Sequence, residues 1–246
     1  MFPILQVGPL AVQTPGLVLL LGLWLGLTLS ERFAARRDVD PDLVSNFFLV
    51  VLVASVVGAR LGYAAMYPAI FGANPLNLLS INLGLFDPWS GLAAGLLSAL
   101  VFGMRKQLPF WDMLDVLTPA FAVIAAAYPL SQLASGTGYG APTDLPWGIW
   151  LWGVVRHPSQ VYALLASLLI LCLVWPDGRL GKKPIPGIFF LTFLGLSAFA
   201  RLVLESFRGD SIFLPGGIRL AQVLAWLVLA GCLWLLRKRI ARSAQV

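Results

Sequence analysis

The chain has 246 residues, 59% of them hydrophobic and only 11% charged, with a formal net charge of +6. A soluble domain carries about 25% charged residues, so a water-soluble enzyme is excluded. At roughly 20 residues per span the chain has room for about six to eight membrane helices and no separate module for nucleic acid. One histidine and two cysteines are too few for a zinc-type cluster, and no phosphate-binding glycine loop or internal repeat points to a cofactor.

The first apolar run covers residues 14–30. No basic segment precedes it, and Arg32, Arg36 and Arg37 follow it, so it reads as an anchor rather than a cleaved signal peptide. The second run, 44–67, is followed by residues 68–87, which are apolar but broken by Pro and Gly. That pattern suits an interfacial or re-entrant segment. The third run, 90–104, is short and ends at Arg105 and Lys106. The fourth is 113–133. The fifth, 158–175, precedes Arg179, Lys182 and Lys183. The sixth is 187–207. The seventh, 220–236, precedes Arg237, Lys238, Arg239 and Arg242.

All four basic clusters follow odd-numbered runs, which collects 12 of the 17 Lys and Arg residues on one side. Basic loops stay in the cytoplasm. The expected fold is therefore an all-α integral membrane protein, one polytopic domain of seven transmembrane helices, with the N-terminus outside and the C-terminus cytoplasmic. Cys172 and Cys232 fall within the fifth and seventh runs and are expected as packing residues.

Five arginines remain: Arg60, Arg156, Arg201, Arg208 and Arg219. An arginine in a membrane helix costs at least about 2.5 kcal/mol and marks function by default. On this topology all five gather toward the outer half of the membrane, beside Asp87, Asp144, Glu205 and Asp210. The site they make is net positive and suits an anion, above all the phosphate of a lipid.

Three constellations carry candidate chemistry. Arg201, Glu205 and Arg208 stand at i, i+4 and i+7, one face of a helix. The pair Arg201–Glu205 can simply neutralise itself, or Glu205 can orient an arginine whose other donors grip a phosphate or a developing oxyanion. Arg156-His157-Pro158-Ser159-Gln160-Val161-Tyr162 opens the fifth run, with Pro158 suited to a first helical turn. His157 is the sole histidine, so any histidine base is this one; a polar cap at the interface is the plain alternative. Ser159, Gln160 and Tyr162 add hydrogen-bonding groups. Finally, Gly58-Ala59-Arg60-Leu61-Gly62-Tyr63 sets small residues around an arginine. That permits close approach of a helix or a ligand, while a snorkelling Arg60 is the alternative.

These three stretches, in this order, resemble the bacterial phosphatidylglycerol–prolipoprotein diacylglyceryl transferase family from about residue 44 to the C-terminus. Arg60, Gly62 and Tyr63 look like its G-x-R-x-G-Y element. His157 to Tyr162 look like its H-P-S-Q-L-Y stretch, and Arg201, Glu205 and Arg208 like its R-x-x-x-E-x-x-R element. Thr143-Asp144-Leu145-Pro146-Trp147 resembles the segment that precedes H-P-S-Q, and Gln222 sits where a Gly-Gln pair usually begins the last span. The resemblance implies transfer of a diacylglyceryl group from phosphatidylglycerol to the lipobox cysteine of a secreted prolipoprotein, leaving glycerol 1-phosphate. It implies His157, Arg201 and Glu205 as catalytic residues, with His157 assisting proton transfer from the thiol. Substrate binding would fall to Arg60, Tyr63, Arg156, Ser159, Gln160, Tyr162 and Arg208, with no metal and no cofactor. The expected partners are phosphatidylglycerol, or another anionic phospholipid, and the prolipoprotein signal peptide. The expected location is the bacterial inner membrane.

The chain also departs from the family pattern. The G-R-x-G-N-F-x-N-x-E signature falls on residues 128–137, where Pro129 replaces the arginine, Gln132 and Ser135 the asparagines, and Thr137 the glutamate. The H-G-G element falls on Trp89-Ser90-Gly91, the first-span Tyr-Gly on the region of Thr14-Pro15-Gly16, and Ala163 follows Tyr162 in place of a glutamate. A proline cannot grip a phosphate, and a tryptophan cannot take a thiol proton. The alternative reading is thus a non-catalytic homologue that binds anionic phospholipid or serves as a membrane subunit of a larger complex. A solute transporter is disfavoured, since no paired interrupted helices are visible.

Overall fold

In the computed structural model, residues 4–7, 10–73, 76, 78, 85–175 and 185–243 are described. The cluster of Arg179, Lys182 and Lys183, and most of the interrupted stretch after residue 73, lie outside them. The hairpin strands β1 (Ile4–Val7) and β2 (Leu10–Gln13) lead into α1 (Thr14–Ala35), α2 (Pro41–Met66), α3 (Pro68–Ala73), α4 (Pro88–Arg105) and α5 (Phe110–Ser135). Then come β3 (Ile149–Leu151), β4 (Val154–Arg156), α6 (Ser159–Leu173), α7 (Ile188–Leu204), a 3₁₀ turn (Glu205–Phe207) and α8 (Leu220–Ser243). The fold is predominantly helical, as expected for a membrane protein. Among the described residues, five helices are long and apolar enough to cross a bilayer: α1, α2, α5, α7 with its 3₁₀ extension, and α8. The two antiparallel hairpins are additions to the all-α expectation.

The chain forms two compact units. One comprises residues 34–113, and the other comprises residues up to 33 together with residues 114 onward. In the 34–113 unit, Asp40 caps α2 by accepting from the Asp42 N–H at 3.0 Å, with Pro41 at the first helical position. Asp87 does the same for α4, accepting from the N–H and hydroxyl of Ser90. Helices α2 and α4 meet along small residues. A Cβ placed on Gly58 would lie 2.2 Å from the Ala94 Cβ, and one on Gly91 2.9 Å from the Ala59 Cβ. In a membrane such stripes let helix backbones approach without a hydrophobic drive. The small residues around Arg60 therefore serve helix packing.

In the other unit, α1 and α5 also touch through glycine: a Cβ on Gly26 would lie 3.0 Å from the Ala120 backbone. The Ser30 hydroxyl accepts from the Ala120 N–H at 3.2 Å. Ala122 of α5, Ile170 and Val174 at α6, and Phe193 of α7 form a buried core. Phe121 packs its ring against Phe190 and Phe193. Cys232 is buried at 3% exposure, as expected of a packing residue. Cys172 is exposed, which corrects that expectation: its position on α6 faces away from the core.

Candidate functional site

The site begins where α5 ends. Gly136, in the left-handed region at φ 78°, donates its N–H to Gln132 and stops the helix, the usual use of glycine there. The chain then runs back between two segments far apart in sequence. Ala141 donates its N–H to the Phe207 carbonyl at 2.8 Å, Gly209 donates to Tyr139 at 2.9 Å, and His157 donates to Ala141 at 3.0 Å. Residues 139–142 thus form a splice joining the 3₁₀ exit of α7 to the entry of α6. Gly140 makes the closeness possible, because a Cβ there would lie 2.2 Å from the His157 carbonyl oxygen.

At the entry of α6, Ser159 and Gln160 are 5% and 1% exposed. The Ser159 hydroxyl donates to the Gly138 carbonyl at 2.7 Å, and Gln160 Nε2 donates to Thr137 at 2.9 Å. Gln160 Oε1 is buried without a hydrogen-bond partner. His157 packs edge-on against Phe207 at 5.2 Å and Tyr162 at 6.2 Å. Its Nδ1 is 3.5 Å from the Tyr162 hydroxyl, which also receives a hydrogen bond from Trp147 Nε1 at 2.8 Å.

At the end of α7, Glu205 is 1% exposed and pairs through Oε2 with Arg201 at 2.9 Å and, at 4.0 Å, with Arg208. Arg208 is committed to Asp210 by two hydrogen bonds of 2.9 and 2.7 Å. Arg219 donates to the carbonyls of Glu205 and Arg208 and to the Ser211 hydroxyl. Arg156 donates to the carbonyls of Leu151 and Gly140 and lies over the Tyr139 ring. These arginines staple loops. Arg201 differs, because its side chain is 45% exposed. It borders an apolar groove of about 290 Å³ lined by Leu194, Ala198, Ala221, Leu224, Ala225 and Val228 of α7 and α8.

Arg60 and Tyr63 belong to the 34–113 unit. Arg60 is 6% exposed and does not snorkel. It donates to the carbonyls of Leu78 and Leu85, with the Phe71 and Phe86 rings beside its guanidinium. Tyr63 stacks near Tyr67 and Phe71. The other eight predicted residues, His157, Arg201, Glu205, Arg156, Ser159, Gln160, Tyr162 and Arg208, all lie in the second unit along the splice and the two helix ends that it joins.

Two residues escaped the sequence reading. Trp147 entered only as part of a matching stretch, yet it holds Tyr162. Asp115 stands inside an apolar run and is fully buried. Its carboxylate accepts from the N–H groups of Gly187 and Phe190 at 2.8 and 2.9 Å, so it caps α7. An acidic residue within a membrane span was the available signal. Among the described residues no His, Cys, Asp and Glu group could hold a metal.

Residues 3–237 match the family model described as prolipoprotein diacylglyceryl transferase. Among named relatives, the chain is similar to the phosphatidylglycerol–prolipoprotein diacylglyceryl transferase of Synechococcus elongatus, at 28% identity over 94% of this chain and 86% of the relative. A Synechococcus sp. enzyme of the same name is 31% identical, over 94% and 90% of the two chains. That of Synechocystis sp. is 29% identical, over 94% and 87%.

Proposed function

This chain belongs to the prolipoprotein diacylglyceryl transferase family, and we propose that it moves the diacylglyceryl group of phosphatidylglycerol to the lipobox cysteine thiol of a prolipoprotein in lipoprotein biosynthesis. The observation that carries the assignment of the site is Arg201: a guanidinium that reaches the surface, held by a buried carboxylate, at the border of an apolar groove. A phospholipid has the complementary form, an anionic head on acyl chains. In this reading Arg201 takes two phosphate oxygens in its planar fork while Glu205 fixes its direction. One acyl chain lies in the α7–α8 groove.

The sulfur–carbon bond forms as the carbon–oxygen bond to phosphate breaks. The electron pair leaves on the phosphate oxygen, and the thiol proton ends on the released glycerol phosphate. Negative charge grows on the leaving group, where a preorganised arginine stabilises the transition state more than the ground state. Gln160 Oε1, a buried acceptor without a partner, suits a headgroup hydroxyl. Ser159 and Tyr162 order the entry of α6 beside it, and His157 stands at the reacting end. Arg156 and Arg208 support the site through the splice. Arg60 and Tyr63 are assigned to the packing of Phe71, Leu78, Leu85 and Phe86 after α2, in keeping with the burial of Arg60.

We further assign seven spans, adding α4 and α6 to the five long helices, with the C-terminus in the cytoplasm of the bacterial inner membrane. The sorting of basic clusters supports it. Labelling from outside intact cells should reach a cysteine placed at Asp144 and not one placed at Gln107.

The test of function is diacylglyceryl transfer to a lipobox peptide in phosphatidylglycerol vesicles, together with rescue of a bacterium lacking its own transferase. Both are expected. A second reading, a homologue that binds phosphatidylglycerol without transferring it, is favoured by Pro129 and Thr137 in place of the signature arginine and glutamate. Lipid binding without transfer would select it.

A further inference from the structure

We propose that Trp147 and Tyr162 hold His157 in the tautomer protonated at Nε2, so that the ring offers a hydrogen-bond donor to substrate and does not act as a base at that atom. The reasoning follows the protons. Indole Nε1 can only donate. Trp147 donates to the Tyr162 oxygen at 2.8 Å and fills one of its acceptor positions, which favours the phenol as a donor toward its other neighbour. Among the described residues, the ring nitrogen within reach of that hydroxyl is His157 Nδ1, at 3.5 Å, and the phenol is taken as the donor of that contact. A phenol donating to Nδ1 requires a lone pair there, which places the ring proton on Nε2.

The ring is also well placed to be held. Its backbone is fixed by the N–H bond to Ala141 and by the Ser159 N–H donating to the His157 carbonyl. Gly140 leaves no room behind that carbonyl. Phe207 packs edge-on against both the His157 and Tyr162 rings, at 5.2 and 5.8 Å. Polar partners of this kind fix a histidine's tautomer and orientation just as they do at metal sites. Trp147 and Tyr162 act through His157 and are positioning residues.

The consequence for chemistry is a change of role. A neutral ring with Nδ1 engaged and Nε2 protonated has no free lone pair for the thiol proton. It can donate from Nε2 to a phosphate oxygen, adding to Arg201 where charge develops. The tautomer stands on geometry alone, while its use in transfer rests on the function proposed above.

Because His157 is the sole histidine of the chain, selective ¹⁵N-histidine labelling yields one ring's spectrum. In the full-length protein in lipid nanodiscs, at a pH where the ring is neutral, we expect a pyridine-type Nδ1 and a pyrrole-type Nε2. Tyr162→Phe should move both nitrogens toward the averaged position of an exchanging ring. Trp147→Phe, at a residue 58% exposed, should move them less and in the same sense, and it serves if the first variant does not fold. A pyrrole-type Nδ1 in the unaltered protein overturns the proposal, as does a spectrum indifferent to both substitutions. The measurement needs no turnover, so an inactive protein would count against the transfer reading and not against the tautomer.

Discussion

Glu205 is buried at 1% exposure while Arg201, paired with it at 2.9 Å, keeps 45% of its side chain exposed. The buried carboxylate holds one end of the guanidinium, and the exposed side of Arg201 is the part the proposed function turns toward a ligand. Arg201→Lys keeps the charge and loses the planar fork. Transfer activity should fall roughly 10²–10³-fold, the usual loss when one oxyanion donor is removed. Glu205→Gln should lower activity as well, by releasing the arginine's direction. Asp144→Asn, at an exposed loop residue, should leave turnover unchanged. The vesicle transfer assay reads all three. Equal loss in all three would mean that Arg201 has no special part.

Asp115 ties α5 to the first turn of α7 through two N–H groups. Asp115→Ala leaves those donors without their cap and also sacrifices the favourable charge at a helix N-terminus. The expected loss is about 1–2 kcal/mol, seen as a lower unfolding midpoint in detergent. Asp115→Asn keeps an acceptor and should fall between. Because Asp115 sits at the opposite end of α7 from Arg201, the activity of the fraction that remains folded should be unaltered. A change in turnover with no change in stability would contradict the capping role.

The apolar runs were legible because a membrane demands long, uninterrupted hydrophobic segments, and the five long apolar helices overlap the runs 14–30, 44–67, 113–133, 187–207 and 220–236. The pairing of Arg201 with Glu205 was legible from i, i+4 spacing alone. The splice was not. It joins Tyr139–Pro142 to His157 and to Phe207–Gly209 by backbone hydrogen bonds, which leave little mark on side-chain identity. The β3–β4 hairpin was missed for a related reason. Its two-residue turn is Trp152-Gly153, both at positive φ, where Asn-Gly or Asp-Gly is the usual signal. Trp152 tolerates the left-handed conformation with its indole N–H bonded to the Gly136 carbonyl. For Arg60, sequence shows the cost of burying a guanidinium and not the carbonyls of Leu78 and Leu85 that meet it.

Asp87 supplies a pH-dependent cap. The hydroxyl and N–H of Ser90 hold its carboxyl below the ordinary carboxylate value. A depressed folded-state value means that the group's stabilisation is complete above its unfolded value and is lost as pH falls through the folded one. The first turn of α4 should therefore stay protected from hydrogen exchange at neutral pH and loosen only on strong acidification. Asp87→Asn should remove the acid transition at Ser90 and Gly91. A transition that persists in that variant would assign it to another group.

Gly140 is the narrowest point of the splice. A Cβ there would stand 2.2 Å from the His157 carbonyl oxygen and 2.7 Å from its Cβ. The first obstacle is backbone, which cannot turn aside as a flexible side chain can. Gly140→Ala must therefore push the His157 segment away, stretching the His157-to-Ala141 hydrogen bond and disturbing the contacts of His157 with Tyr162 and Phe207. We expect transfer activity to drop at least about 10-fold, since displacements near 1 Å in positioning residues cost on the order of 10² in rate. The loss should be in kcat more than in KM, because Gly140 does not line the α7–α8 groove. Gly153→Ala is the matched control. Unlike Gly140, Gly153 is a left-handed glycine, at φ 78°, and a Cβ there meets nothing within 4 Å. It should cost some stability through backbone strain alone and spare the activity of the folded protein. The same ¹⁵N spectrum of His157 would locate the defect, because a ring shifted in Gly140→Ala and unmoved in Gly153→Ala places the damage at the splice. Unchanged kinetics in Gly140→Ala would show that the position of His157 does not govern turnover.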